Sequence, residues 1–358
     1  MAGRILIGAA ALALVACAKK VEGDPLYAAA DCRRATIVDS ETGASVIGAE
    51  DFAYDASARR VIISAYDRRR VEKEARKRAY DISQGGVYAL SMKDIKSGAS
   101  VFSLPSIVSR DSVAGGLRPH GIAFDATRRE ITFINRSYQK INGKWRMTPR
   151  IERASADGAV FVGDGDRPRC SANDVALLGD RTFVSFDHEF CGWRKGVEDI
   201  AGLAGSGVEL AGSGAVFNSA RHANGLAATQ ERGLALAATR EAAIYVLAEK
   251  SDGLKVENKV KVPGAPDNLT VSSDGSLVAA LYPSLAAIGA QRKLGFGRSA
   301  SRIVRIDPET GAMTLLFEDP KAKLFSAASV AIEEEGVLIL GSALDRGVLI
   351  CRRKADGS

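Results

Sequence analysis

The feature that most constrains the fold is a hairpin pattern that recurs six times along the 358 residues. In each copy, a pair of small or polar residues precedes a short apolar strand, a polar turn and a second apolar strand. The pairs are Glu50-Asp51, His120-Gly121, Asn173-Asp174, Asn224-Gly225, Asp267-Asn268 and Ala328-Ser329. A four-stranded propeller blade takes about 40–50 residues, which fits these intervals once loop insertions are allowed. An irregular β-sandwich would not explain the repeated pair, so the pattern predicts an all-β, six-bladed β-propeller.

A propeller must join its two ends, and we expect the N- and C-terminal strands to pair within one blade. Cys32 precedes an early apolar strand and Cys351 ends the last one, so a Cys32–Cys351 disulfide would close the ring. The third hairpin turns near Gly179-Asp180, which places Cys170 opposite Cys191 and predicts a second disulfide. The same register places His188 opposite Asn173.

The N-terminus has the pattern of an export signal. Arg4 precedes an apolar run over residues 5–16, which is shorter than the ~20 residues that span a bilayer as a helix. The run ends in Leu14-Val15-Ala16-Cys17, which resembles the lipobox of bacterial lipoproteins. We therefore predict a signal peptide over 1–16, a lipidated Cys17 and tether over 17–30, and the propeller over 31–358. The alternative is an ordinary signal peptide with a chance cysteine.

This organisation predicts an exported bacterial lipoprotein on the periplasmic or cell-surface side, with the lipid as its membrane contact. Lys and Arg exceed Asp and Glu by 49 to 43, and part of that excess lies in the stretch 68–78. Aromatic residues make up only 6% of the chain. A nucleic-acid binder would need a broader basic face with interleaved aromatics, so we expect no nucleic-acid partner. We expect a monomer.

The polar pairs predict a metal site. The innermost strands of a propeller all begin at one end of the central tunnel, so residues at equivalent positions converge there. Each pair alone is typical of a turn, but the six together present a ring of oxygen donors without thiolates. Calcium takes six to eight such ligands. The ring consists of Glu50, Asp51, Asn173, Asp174, Asn224, Asp267 and Asn268.

These motifs resemble the paraoxonase/arylesterase family, which is similar to the wider gluconolactonase-type (SMP-30-like) propellers. The resemblance covers about residues 32–351 and implies six blades, two calcium ions in the tunnel and a disulfide between the chain ends. By resemblance, the catalytic calcium would be held by Glu50, Asn173, Asn224, Asp267 and Asn268. The structural calcium would be held by Asp51, Asp174 and the main-chain carbonyl of Ile122.

The chain has three histidines, and all lie beside candidate ligands. By resemblance, His120 is the general base that activates water, and His188 also lies near the catalytic site. His222 precedes Asn224 by two residues and is a candidate for substrate binding. The family's second catalytic histidine would fall at position 136, where this chain has Arg136. Because an arginine cannot accept a proton, we expect Arg136 to bind an anionic group of the substrate or to be solvated at a strand end.

Together, the polar ring, the family resemblance and the histidines predict a calcium-dependent hydrolase of small carboxylic esters or lactones. Calcium would polarise the carbonyl group, and His120 or the carboxylate of Glu50 would take the proton of the attacking water. The sequence has no G-x-S-x-G motif, which argues against a serine esterase. The alternative is a non-catalytic, calcium-braced propeller that serves as a binding module at the cell surface. We expect two insertions, 67–84 and 195–214, to form loops at the tunnel mouth, the first helix-prone and the second mobile.

Overall fold

Strands follow one another in antiparallel order because polar turns let each strand fold back on the one before it. The computed structural model describes residues 21–156, 161–164, 167–229 and 233–353. Four blades contain four strands each. They are β6 to β9 (Pro119–Asp125, Glu130–Ile141, Lys144–Ser155, Phe161–Asp164), β10 to β13 (Ala172–Leu178, Arg181–Phe186, Ser206–Leu210, Gly214–Ala220), β14 to β17 (Ala223–Ala228, Gly233–Ala238, Ala243–Lys250, Gly253–Lys261) and β18 to β21 (Ala265–Val271, Leu277–Tyr282, Ser301–Ile306, Met313–Asp319).

The last blade contains strands from both chain ends. It consists of β22 (Ala328–Glu334), β23 (Val337–Arg346), β24 (Val348–Arg352) and β1 (Cys32–Asp39). β1 and β24 are antiparallel with Cys32 opposite Cys351, and a disulfide joins these two residues. The predicted closure of the propeller by its terminal strands is therefore confirmed.

The first blade departs from the four-strand pattern. It contains β2 (Ile47–Asp55), β3 (Arg60–Ala65) and β4 (Gly86–Ser91) in antiparallel order. The next strand, β5 (Val101–Leu104), leaves this blade and pairs in parallel with β1. β2 also pairs with β23, so the first and last blades share one hydrogen-bonded sheet. The ring is thus closed by main-chain pairing as well as by a disulfide.

Apolar side chains fill the spaces between neighbouring blades. One cluster packs Val278 and Ile303 of the fifth blade against Leu338 and Leu349 of the last. All four are fully buried, and each such side chain contributes about 1.5–3 kcal/mol when removed from water. The alternating apolar strands of the sequence thus hold the blades together and fix the positions of the inner strands.

Four α-helices connect strands: α1 (Arg68–Arg76), α2 (Met92–Ser97), α3 (Arg194–Ala201) and α4 (Leu285–Leu294). Asp67 caps α1 by accepting a hydrogen bond from the Arg70 amide, which agrees with the helix predicted in 67–84. The loop predicted at 195–214 is wrong, because α3 and β12 occupy most of it. No helix in the described part of the chain has the length and apolar character that crossing a membrane requires. The predicted signal peptide and Cys17 lie outside the described residues.

The third hairpin confirms the second disulfide but corrects its register. Cys170 and Cys191 are bonded, with their Cα atoms 6.0 Å apart. However, Ala172 lies opposite Phe186, and a bulge adds one residue to β10 before the next pair. β11 ends at Phe186, so His188 lies beyond the strand. The prediction that His188 lies opposite Asn173 is therefore wrong, because the two-residue turn pairs Leu178 with Arg181, and that register would place Asn173 opposite Phe186 even without the bulge.

Candidate functional site

A break in strand register occurs at the same place in all six inner strands. The breaks lie between Ala49 and Asp51, Pro119 and Ile122, Ala172 and Val175, Ala223 and Leu226, Pro266 and Leu269, and Ala328 and Val330. A β-bulge interrupts the alternation of side chains and re-aims the residues within it. Each polar pair predicted from the sequence lies at one of these bulges. The six pairs therefore occupy structurally equivalent positions in the blades, as the sequence repeats predict.

Neighbouring inner strands approach each other closely at two of the pairs. A Cβ atom at Gly121 would lie 2.2 Å from Oδ1 of Asp174. A Cβ atom at Gly225 would lie 2.4 Å from the main-chain oxygen of Asp267. Glycine is therefore required at the second position of these pairs, since any side chain would displace a member of the polar ring.

The ring residues are buried together at the tunnel. Glu50, Asp51, Asn173, Asp174, Asn224, Asp267 and Asn268 are each at most 7% exposed. Asp267 accepts hydrogen bonds from the side-chain amide of Asn224 and from the hydroxyl of Tyr282. The side-chain amide of Asn268 donates to the main-chain oxygen of Glu50 over 2.9 Å. These contacts link β2, β14 and β18 directly across the ring.

Two carboxylates of the ring face each other. Asp51 accepts a hydrogen bond from the Ile122 amide over 2.8 Å, and Asp174 accepts one from the Leu226 amide over 2.7 Å. Burial raises the pKa of Asp174 to about 7. Burial and the neighbouring Asp174 raise the pKa of Asp51 well above its usual range. A buried carboxylate pair of this kind needs a shared proton or a cation between the two groups.

The donor set fits calcium. The side-chain nitrogens of Asn224 and Asn268 are held by neighbours, and no hydrogen bond to their side-chain oxygens is found among the described residues. These oxygens are therefore free to bind a cation. Carboxylate and amide oxygens from four inner strands provide the hard ligands that calcium prefers. Of the residues expected to hold the structural ion, Asp51 contacts the amide of Ile122 and lies beside Asp174.

His120 lies against Glu50 and is 1% exposed. Its Nδ1 is 3.1 Å from Oε2 of Glu50, but neither ring nitrogen has an aligned hydrogen-bond partner among the described residues. Burial and the charge of Arg136 lower the pKa of His120 to about 4, against the opposing effect of Glu50. The imidazole is therefore neutral at neutral pH, with a ring nitrogen that can accept a proton.

Arg68 and Arg136 lie near His120 and Glu50, and Arg292 is joined to Arg68 through Glu72. We refer to these three arginines as the arginine side of the site. Arg68, in the first turn of α1, has Nη1 at 3.7 Å from Oε1 of Glu50 and Nε at 3.4 Å from Glu72. Arg292 of α4 donates to the same Glu72 over 3.1 Å. This bridge through Glu72 joins α1 to α4 next to the polar ring.

Arg136 stands in β7 and is 7% exposed. Its Nε is buried, and no hydrogen bond or ion pair to its guanidinium is found among the described residues. A buried cation without a partner is costly, so this guanidinium is available to an anion. The solvated strand end considered in the sequence analysis is wrong, since the side chain is enclosed.

The other two histidines lie together, in a group that we call the histidine–aspartate cluster: Asp187, His188, Asp199 and His222. Nδ1 of His188 is 2.6 Å from Asp187, and its Nε2 is 3.1 Å from Asp199. The rings of His188 and His222 meet edge to face, with centroids 5.1 Å apart. Despite the cost of burial, the two aspartates raise the pKa of His188, whereas burial lowers the pKa of His222 to about 4.

Several residues of these sites were not singled out from the sequence. Tyr282 ends β19 and holds Asp267, and its position at the end of the second strand of its hairpin could have indicated a tunnel contact. Arg68 follows β3 by three residues, so the start of the inserted helix could have been placed at the tunnel. Asp199 lies in α3, within a segment predicted as a loop, and gave no such signal.

No protein-family model matches the chain, and no curated protein matches it. Solved structures with a similar fold include a gluconolactonase assigned by its protein family, with a TM-score of 0.52 and 15% identity over 92% of this chain and 94% of that chain. They also include a gluconolactonase from Xanthomonas campestris, with a TM-score of 0.49 and 16% identity over 93% and 98% of the two chains. A virginiamycin B lyase from Staphylococcus aureus has a TM-score of 0.46 and 12% identity over 90% and 98%.

The first of these similarities supports the fold assignment. The chain is an all-β propeller, and it shares this fold with the first gluconolactonase at 15% sequence identity.

Proposed function

We propose that the protein is a calcium-dependent hydrolase of small carboxylic esters or lactones, with a preference for lactones. The observation that carries this proposal is the buried ring of oxygen donors with a neutral imidazole, His120, against one of its carboxylates. The combination supplies a place for a hard cation and a proton acceptor at the same point of the tunnel. The gluconolactonase among the structural neighbours shares the fold, and its described activity agrees with a lactone substrate.

Glu50, Asn173, Asn224, Asp267 and Asn268 would hold the catalytic calcium, and Asp51, Asp174 and the carbonyl of Ile122 would hold the structural one. Bound calcium supplies positive charge that favours the carbonyl oxygen as it becomes an oxyanion. The hydrogen bonds from Asn224 and Tyr282 fix the orientation of Asp267 before any ligand binds. Such preorganisation avoids the cost of reorienting the carboxylate during the reaction.

His120 would accept the proton of the attacking water. Its buried nitrogens have no competing hydrogen bond, and the adjacent Glu50 can stabilise the imidazolium that forms. Arg136 cannot relay this proton, so the two-histidine arrangement implied by the family resemblance is replaced by a single histidine beside a carboxylate. If His120 is dispensable, Glu50 is the remaining candidate base within reach of the same water.

Arg136 would bind an anionic group of the substrate. Its guanidinium is enclosed, has no described ion-pair partner and lies close enough to His120 and Glu50 to affect the pKa of both. A carboxylate accepts two parallel hydrogen bonds from a guanidinium, which fixes orientation as well as affinity. We therefore infer that a substrate with a carboxylate next to its ester or lactone group is favoured over a neutral one.

Two contacts favour the alternative, a non-catalytic binding module. Arg68 occupies the space beside Glu50, and the bridge of Glu72 to Arg292 holds α1 near α4. In that case calcium would brace the ring while no substrate reaches His120. The two possibilities differ in whether turnover accompanies calcium binding.

The test is a substrate panel that contains phenyl acetate, a γ-lactone and the same lactone with a carboxylate substituent. Wild-type protein is compared with the Glu50→Gln variant, which keeps the shape of the side chain and removes its charge. We expect lactone turnover by the wild type and loss of turnover in the variant. Absence of turnover on every substrate, with calcium still raising the melting temperature, would support the binding module.

A further inference from the structure

We propose that His188, Asp199 and His222 form a second metal site, which binds a zinc-class transition metal ion and is distinct from the calcium ring. One ligand atom from each residue lies within 4.8 Å of the other two. The three residues come from different elements: His188 follows β11, Asp199 lies in α3 and His222 precedes β14. Two imidazoles and one carboxylate form a donor set that zinc uses in sites with an open fourth position.

The surroundings of His188 resemble the outer shell of a metal site. Nδ1 of His188 lies 2.6 Å from Asp187, so the N–H at this position donates to the carboxylate. The lone pair then remains on Nε2, which faces Oδ1 of Asp199 at 3.1 Å. Two acceptors at this distance need a proton or a metal ion between them. Metal-binding histidines commonly donate their second N–H to a carboxylate in this way, which fixes the tautomer.

His222 supplies an independent observation. Its Nδ1 is buried and has no hydrogen-bond partner among the described residues. Its main chain has φ of +59°, a left-handed conformation that is uncommon for residues other than glycine. Strained main-chain conformations of this kind cluster at functional sites. The ring is thus presented edge-on to His188, and no described residue makes a hydrogen bond to its Nδ1.

The charged neighbours, the adjoining cavity and the donor atoms together indicate which kind of ion the cluster would bind. Lys195 contacts Asp187 at 3.3 Å and Arg240 contacts Asp199 at 3.0 Å, so each aspartate already has a cationic neighbour. A cavity of about 120 Å³ adjoins the cluster, which leaves room for an ion with a water ligand. Imidazole donors suit zinc, copper and nickel, whereas calcium and magnesium prefer oxygen donors. The two proposed sites therefore select different cations.

The alternative occupant of the gap between His188 and Asp199 is a proton. His188 would then be an imidazolium that bridges the two aspartates, and the cluster would be an ion-pair network without affinity for zinc. Direct measurement of zinc binding distinguishes these two states.

The experiment uses mature protein without a histidine tag, stripped with chelator and dialysed into excess calcium so that the oxygen ring is supplied. Zn²⁺ alone is titrated by calorimetry, and bound metal is counted by elemental analysis. We expect one zinc ion per chain. His188→Ala, Asp199→Asn and His222→Ala should each remove most of the affinity, and Asp187→Asn should lower it by about 10–100-fold.

The third histidine provides a matched control. His120→Gln should bind zinc as the wild type does, because His120 has no described contact with the cluster. Cobalt bound to the wild type should show the strong visible absorption of tetrahedral coordination, a readout that does not depend on variants folding. The proposal is overturned if folded wild-type protein binds no zinc, or if the double variant His188→Ala/His222→Ala still binds it.

Discussion

The two histidine sites of this protein differ in the sign of the charges around them. His120 lies beside Arg68 and Arg136, and its pKa is lowered to about 4 by burial and by Arg136. His188 lies between Asp187 and Asp199, and these carboxylates raise its pKa. The same side chain is therefore a neutral proton acceptor at one site and a group that holds a proton or a metal ion at the other.

The difference follows from where each site is built. His120 belongs to an inner strand and to the sixfold pattern, next to the buried ring of oxygen donors. His188, Asp199 and His222 lie in connections outside the inner strands, where residues are free to vary between blades. The comparison indicates that the repeated part of the fold would provide the proposed reaction centre, while the connections add charges and the proposed second metal site.

The largest expected effect is the difference in lost activity between substitution of His120 and substitution of His222. His120→Gln should lower kcat/KM for a γ-lactone by about 10²–10⁴-fold, the usual contribution of a general base. His222→Gln should lower it by less than about tenfold, since no contact between His222 and either Glu50 or His120 is described. Steady-state kinetics at saturating calcium measures both values. A larger loss in His222→Gln than in His120→Gln would reverse the assignment.

The second prediction is that calcium and zinc stabilise the protein through different sites. A ligand at 100 times its dissociation constant stabilises the folded state by about 2.7 kcal/mol. Calcium and zinc should therefore each raise the melting temperature, and their effects should add. Glu50→Gln should reduce the calcium effect alone, and Asp199→Asn the zinc effect alone. Thermal unfolding with each cation provides the data, and a variant that loses both effects would show that the sites are coupled.

The third prediction concerns the arginine side. Arg136→Gln should reduce the preference for a carboxylate-bearing lactone over its carboxamide analogue by about 10–100-fold, as expected for one charge-assisted contact. Arg146→Gln is the matched control, because Arg146 is an exposed arginine on the same β7–β8 hairpin. The measurement is the ratio of kcat/KM for the two substrates. An unchanged ratio in Arg136→Gln would exclude a carboxylate contact.

The smallest expected effect concerns the outer charges of the cluster. Arg240 contacts Asp199 at 3.0 Å, but its side chain is 40% exposed. A partly solvated ion pair contributes at most about 1 kcal/mol, so Arg240→Gln should lower the free energy of unfolding by less than that amount. Urea denaturation without zinc tests this value. A loss of several kcal/mol would mean that the ion pair, rather than a metal, organises the cluster.

The repeated features of the fold could be predicted from the sequence. The polar pairs recur at equivalent positions, so six blades, ring closure and both disulfides followed from pattern and spacing. The bulges at the pairs were not predicted, because a bulge depends on the partner strand as well as on local sequence. The predicted position of His188 was wrong for a different reason, because the two-residue turn pairs Leu178 with Arg181 and so sets a register two residues away from the expected one.

The surroundings of the site could not be predicted in the same way. Arg68 and Arg292 meet at Glu72 through two helices that are more than 200 residues apart in the chain. Such a contact depends on how the connections pack against the finished ring, which no local pattern encodes. The enclosure of Arg136 likewise depends on the neighbouring elements and not on its own strand.

The most direct test of the proposed function is a calcium titration of activity. Protein stripped with chelator is assayed on a γ-lactone as calcium is added back, and bound calcium is counted at each point. We predict no turnover without calcium and full turnover when the oxygen ring is occupied, with Asp267→Asn requiring more calcium. Turnover that is unaffected by chelator, or calcium binding that is never accompanied by turnover, would contradict a calcium-dependent hydrolase.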